Sequence, residues 1–222
     1  MRVSADTKRQ TRERILAAAG SLFASKGYGS TTTRDVAREA AIATGTLFNY
    51  FPNKESLAMT LLAGALDEAR ELWRSRRRGS ESLDEDLFSH VATALRALAP
   101  HRLYVGEVFE TAMSPFARSQ VCREGDDVRV SHLEQVAAIL GDHGRQLNGP
   151  SEAISIHLYW TLFLGVLAFW SGDASDKQGD SLAVLDQSLR LFVNSLDTPD
   201  VALINKNSGD GDTSPAPVPS DD

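Results

Sequence analysis

Apolar positions recur at three- and four-residue intervals along most of the chain, and no segment of useful length alternates in the two-residue rhythm of a strand. The pattern therefore predicts an all-α protein of about nine helices. The first runs from about Thr7 to Lys26, with Ile15, Ala19, Leu22 and Phe23 in register and Gly27 as its stop. Thr32 followed by Asp35 reads as an N-cap with an acid in the first turn, opening a short second helix through Val36, Ala37 and Ala40. A third spans about Thr44 to Tyr50, after which Pro52 and Asn53 break and cap the chain. The fourth reaches about Arg78, with Leu57, Leu61, Ala65, Ala69 and Leu72 on its inner face. Ser82 and Glu85 have capping-box spacing for a fifth helix, to about Leu98, and a sixth covers His101 to Met113. Ser114-Pro115 opens a seventh to about Gly141, with an interruption near Gly125. Gly149-Pro150-Ser151 restarts the chain into an apolar eighth, and Ser181 to Leu196 forms a ninth. The stretch 199–222 has too little apolar surface to offset the entropy of ordering and reads as a disordered tail.

The short second and third helices, separated by a tight turn and following a longer first helix, have the form of a helix-turn-helix, whose second member enters the major groove of DNA. Val36, Ala37, Ile42, Leu47 and Phe51 have the spacing to bury one side of a three-helix head. That leaves Thr44, Gly45, Thr46, Asn49 and Tyr50 facing outward, types that bond phosphate oxygens and base edges or permit close approach. Thr33 and Arg34, at the start of the second helix, join this set, and Lys54 adds charge to a helix N-terminus already favourable to anions. The domains expected are a DNA-binding head over 1–52, a helical body over 53–198 and the tail.

Charge supports this division. The net charge of -7 looks unsuited to a nucleic-acid partner, yet residues 1–60 carry nine Lys/Arg against five Asp/Glu, so a basic head sits on an acidic body. Cys122 is the only cysteine, which excludes an intramolecular disulfide and a cysteine-based zinc site and suits a reduced, cytoplasmic setting. The N-terminal stretch has basic residues without an adjacent apolar run, unlike a secretory signal. Ala153 to Trp170 has eighteen residues without Asp, Glu, Lys or Arg, near the lower limit for a membrane span, but Ser155, His157, Thr161 and the missing basic flank favour a helix buried on two sides. No membrane partner is expected. The five histidines show no HExxH spacing, and neither a GxSxG elbow nor a glycine-rich phosphate loop occurs. Neither catalysis, a cofactor nor a metal is called for.

The run RILAAAGSLFASKGYGSTTTRDVAREAAIATGTLFNYFPNKESL resembles the TetR family of bacterial transcriptional regulators. The resemblance implies a nine- or ten-helix fold, a homodimer built on the last two helices, a body that holds a small-molecule effector, and repression from a near-palindromic operator. It depends on GTLFNYF as the recognition helix and NKESL as the start of the fourth. Three positions depart from the family pattern: Ala41 replaces the usual turn glycine, Ala43 the capping serine, and Phe48 the phosphate-binding tyrosine. Phe48 keeps its position near the DNA but loses that hydrogen bond, and Thr44 becomes the candidate for a cap or phosphate contact. By the same resemblance Trp73, Phe88, His90, Tyr104, Glu107, Phe109, Met113 and Trp160 are candidates for the effector pocket, although aromatic residues at helical spacing equally describe ordinary core. Leu158, Leu162, Val166, Leu185, Leu189 and Phe192 are candidates for the dimer interface, since a helix apolar nearly all round needs two faces covered. The alternative reading is a small-molecule carrier without operator-specific binding.

Overall fold

The computed structural model describes residues 4–113, 122–145 and 150–196. Among them are nine α-helices and no strand: α1 (Ala5–Lys26), α2 (Thr33–Glu39), α3 (Thr44–Phe48), α4 (Lys54–Arg76), α5 (Leu83–Leu98), α6 (Arg102–Met113), α7 (Arg123–Asp142), α8 (Pro150–Gly172) and α9 (Gly179–Leu196). The expected start of the seventh helix at Ser114-Pro115 and the tail beyond residue 198 lie outside the described residues. Gly125, where an interruption was expected, is buried within a continuous α7.

Local chemistry fixes most helix ends. The Thr32 hydroxyl accepts from the Asp35 N–H at 3.1 Å while Asp35 accepts from the Thr32 N–H at 3.1 Å, a complete capping box. At the C-terminus of α1, Gly27 takes φ +88°, a conformation that a side chain would strain, and donates to the Phe23 carbonyl. Glu85 returns a hydrogen bond to the Ser82 N–H at 2.9 Å ahead of α5. Between α8 and α9 the buried Asp173 carboxylate accepts from both the N–H and hydroxyl of Ser181, at 2.9 and 2.5 Å.

One apolar core runs through head and body, so no gap marks the boundary expected at residue 52. Its continuity comes from aromatic residues: Phe23 of α1 meets Tyr28 edge-on at 5.2 Å and Tyr104 of α6 at 5.4 Å. In α4 the buried stripe is Leu57, Ala58, Met59, Leu62, Ala69 and Trp73, whereas Leu72, expected inside, is exposed. The helix has neighbours on more than one side, and its inward face rotates accordingly.

Arg77 joins the end of α4 to the rest of the body. It leaves α4 with extended backbone, and its guanidinium pairs with Asp86 of α5 at 2.6 Å and Asp142 of α7 at 2.5 Å. Asp86 also accepts from His143 at 3.0 Å and is 1% exposed, so this network ties three helices of the body together.

Among the described residues α8 is long and apolar enough to cross a membrane. Its inward face packs Tyr159, Trp160, Phe163, Val166, Leu167 and Trp170 into the core, while Ile154, Leu158 and Phe169 remain exposed.

Candidate nucleic-acid interface and effector cavity

The head presents α3 at its surface. Leu47 is fully buried and anchors the helix, and Val36, Ala37 and Phe51 close the core beneath it. Thr44, Thr46 and Tyr50 are half-buried, Gly45 and Asn49 are exposed, and Phe48 is 47% exposed. On α2, Thr33 is half-buried and Arg34 exposed. The residues singled out for DNA thus share the outer side of one small unit.

Two details of the turn follow from the sequence departures. Ala41 adopts φ +53°, the left-handed conformation in which glycine carries no penalty, so the helix-turn-helix retains its geometry under local strain. Ala43 occupies the N-cap of α3 without any side-chain hydrogen bond, and Thr44 is the first helical residue. Thr44 therefore does not take over the capping role expected of it, since from inside the first turn its hydroxyl is not placed as an N-cap acceptor.

Lys54 sits differently from a free phosphate ligand. Its Nζ donates to the Tyr28 carbonyl at 2.9 Å and lies 4.0 Å from the centre of the Tyr28 ring, bracing the start of α4 against the α1–α2 connection. Lys26 likewise pairs with Asp35 at 2.9 Å, and this bond, with those from Thr32, holds the Asp35 carboxyl well below the usual carboxylate range. The basic residues of α1 are partly engaged: Arg9 pairs with Glu13 at 3.1 Å, and Arg12 lies over the Phe51 ring at 5.2 Å.

Below the head lies a cavity of about 320 Å³. Its walls come from α4 (Thr60, Ala63, Leu66), α5 (His90, Ala94) and α7 (Val128), and Arg12 of the head borders it. Of the eight pocket candidates only His90 lines it. Trp73 is buried behind His90, with its ring centre 5.0 Å away. Trp160 is buried against His132, Tyr104 seals the joint with Phe23, and Phe109 is core. Phe88 faces a shallow surface depression beside Leu182 and Arg190, Glu107 is exposed next to Gly29, and the Met113 side chain lies outside the described set. Aromatic residues were natural candidates by type, but the cavity opens where small side chains, chiefly Ala63, Ala69 and Ala94, leave space.

Two features give the cavity its chemistry. His90 is 5% exposed, and neither ring nitrogen has a hydrogen-bond partner among the described residues. Burial, reinforced by Arg70, pushes its pKa down to about 4, so the ring is neutral at pH 7. Glu124, at the cavity edge, accepts from the buried Ser56 hydroxyl at 2.5 Å, joining the first turn of α7 to the first turn of α4 immediately below the head. Cys122, which caps this end of α7, has its thiol pushed up by burial, away from the reactive thiolate.

For the dimer candidates the structure separates two groups. Val166, Leu185, Leu189 and Phe192, expected at the interface, are instead buried in the protomer's own core, because the helical stripe they form faces inward. Leu158 is exposed and Leu162 half-buried, and with Ile154, Phe169 and Leu191 they form the apolar surface actually presented by α8 and α9.

Comparison with known proteins agrees with this architecture. The family model for bacterial regulatory proteins of the tetR family matches residues 15–59. The regulator YvkB of Bacillus subtilis is 36% identical over 99 residues, 42% of this chain and 48% of that protein. The repressor KstR2 of Rhodococcus jostii is 42% identical over 57 residues, 26% of this chain and 28% of that protein. The matched part thus spans about half or less of these curated relatives. Among solved structures, a tetR-family transcription regulator from Shewanella sp. PV-4 superposes with a TM-score of 0.56 at 25% identity, covering 83% of this chain and 97% of that one. Thermus thermophilus FadR, a repressor solved with lauroyl-CoA, gives 0.60 at 24% identity, covering 86% and 97%.

Proposed function

Because residues 15–59 match the family model for bacterial regulatory proteins of the tetR family, we propose that this chain is a transcriptional regulator of that family and acts as a homodimeric repressor released from a near-palindromic operator by a small molecule held in the α4–α5–α7 cavity. The observation that carries this reading is the exposed outer side of α3, with Thr44, Gly45, Thr46, Phe48 and Asn49 held outward by a buried Leu47. Threonine, asparagine and Tyr50 supply donors and acceptors for phosphates and base edges, and Phe48 suits a thymine methyl or sugar contact. Thr33 and Arg34 flank the groove, and Lys54 contributes chiefly by fixing the angle between head and body.

The partner in the dimer is a second copy, seated on Ile154, Leu158, Leu162, Phe169 and Leu191, which supply an apolar face that one protomer leaves uncovered. Pairing there sets two α3 helices about one DNA turn, ~34 Å, apart. Release follows from geometry. The cavity is walled by α4, the head is braced on the start of α4 through Lys54 and Tyr28, and the Ser56–Glu124 bond joins α4 to α7 at the head end of the cavity. A ligand that separates α7 from α4 favours a dimer whose heads no longer match successive grooves.

Fluorescence anisotropy with duplexes from the chain's own upstream region tests the reading. Salt-dependent binding is expected, with Arg34→Ala lowering the slope of log K against log salt by about 0.9 for one lost phosphate contact. A monomer at micromolar concentration, or indifference to every such duplex at low salt, rules it out. Indifference combined with ligand binding would mark a carrier instead.

A further inference from the structure

The connection between α1 and α2 is gripped by two helices of the body. Tyr28 stands at its centre and is 3% exposed. Its carbonyl accepts from the Thr31 N–H at 3.1 Å, which closes a turn, and from the Lys54 Nζ at 2.9 Å, which ties that turn to the start of α4. The Lys54 ammonium also lies 4.0 Å from the centre of the Tyr28 ring. On its other flank the ring stacks on Tyr104 of α6, with centres 6.3 Å apart, and His101 meets the Tyr104 hydroxyl at 2.5 Å. A Cβ placed on the neighbouring Gly29 would come within 3.2 Å of the Glu107 carboxylate, so the connection runs close against α6 along its backbone too.

This arrangement leaves the Lys54 ammonium little to offer a phosphate. A carbonyl and a ring face already engage it. Burial, followed by the carboxylates of Glu55 and Glu107, pushes the Tyr28 phenol pKa up, and a phosphate beside Lys54 would meet the same carboxylates. What the contacts fix is orientation. The connection leads into α2 and α3, whereas α4 and α6 belong to the body, so turning the head against the body breaks the Lys54 bond or unstacks Tyr28 from Tyr104.

We propose that Tyr28 is a positioning residue: held between Lys54 and Tyr104, it sets the orientation of the head and thereby the separation of DNA half-sites that a dimer accepts. The proposal rests on the reading of the chain as a dimer that binds DNA through α3.

Anisotropy with upstream duplexes whose half-site separation is lengthened or shortened by one base pair tests it, with hydrogen exchange of the free protein alongside. A wrong separation forces one head to turn, so the native chain should favour the best separation by at least about tenfold, the worth of a hydrogen bond from an ammonium. Lys54→Met keeps the stem of a half-buried side chain and removes the donor. It should cut that preference by up to about tenfold and speed amide exchange across residues 27–32 by a similar factor. The slope of log K against log salt should stay within about 0.3 of native, whereas a lost phosphate contact lowers it by about 0.9. Tyr28→Phe, which keeps the ring, should behave as the native chain, and Tyr28→Leu should resemble Lys54→Met; the Lys54 variant decides the matter should Tyr28→Leu fail to fold. A slope lowered by about 0.9, or unchanged exchange in Lys54→Met, overturns the proposal. A chain that ignores every duplex sinks the regulatory reading; one that binds DNA without regard to separation, or keeps its full preference in Lys54→Met, sinks only this inference.

Discussion

Acid should weaken this fold through His90 in a window that its surroundings define. The ring is buried beside Arg70 and Arg74, and burial, the larger cause, takes its pKa from the ordinary 6.5 to about 4, with Asp86 opposing only in part. Between pH 6.5 and 4 the unfolded chain holds a proton on this residue that the folded chain does not, so stability rises with pH there and falls on acidification. At about 1.4 kcal/mol per pH unit, the loss is about 2 kcal/mol on going from pH 7 to 5 and about 3 kcal/mol once the folded ring protonates. For a domain of this size 2 kcal/mol corresponds to roughly 4–8 °C in Tm. Urea denaturation of the native chain and His90→Phe at pH 7, 6 and 5 isolates the contribution, because acid-dependent losses at other sites occur in both. His132, whose pKa burial also lowers, leaves the variant with some acid sensitivity of its own. The stability difference between the two proteins should change by about 2 kcal/mol in favour of the variant across that range. A difference flat to within about 0.5 kcal/mol would mean that the imidazole is solvated or charged in the folded state, and the argument would fail.

Three further outcomes are expected. Ala41→Gly should stabilise the chain by about 0.5–1 kcal/mol in urea titrations, because φ +53° is strained for alanine and the side chain is exposed; destabilisation would contradict this. Asp86→Ala should cost about 1–3 kcal/mol by removing the buried acceptor shared by Arg77 and His143, although Arg77 keeps Asp142, and a loss below about 0.5 kcal/mol would show that the network is dispensable. Ser56→Ala should reduce the ratio of DNA affinities measured without and with a bound effector by up to about tenfold, the worth of a hydrogen bond to a carboxylate; an unchanged ratio would remove the α4–α7 joint from the proposed release mechanism.

Helix number, the capping box at Thr32 and Asp35, the glycine stop at Gly27 and the outward set on α3 were all readable in the chain, because each depends on neighbours within one or two turns. The cavity was not. Of its proposed lining only His90 coincides with the observed wall, since cavities form where helices distant in sequence fail to fill space, and aromatic residues such as Tyr104 and Trp160 fill it instead. The partners of Lys54 and Arg77 were hidden for a related reason: the Tyr28 carbonyl and the carboxylates of Asp86 and Asp142 arrive from elsewhere in the chain.

What the sequence by itself determined is the all-helical architecture, the basic head and the outward set of residues on α3 proposed to meet DNA, because periodicity, caps and charge act over short separations. Only the tertiary structure decided which stripe of α9 lies inward, where α4, α5 and α7 leave an opening, and that His90 and Glu124 meet it. Those outcomes depend on the relative rotation and approach of helices, set by the packing of the whole core.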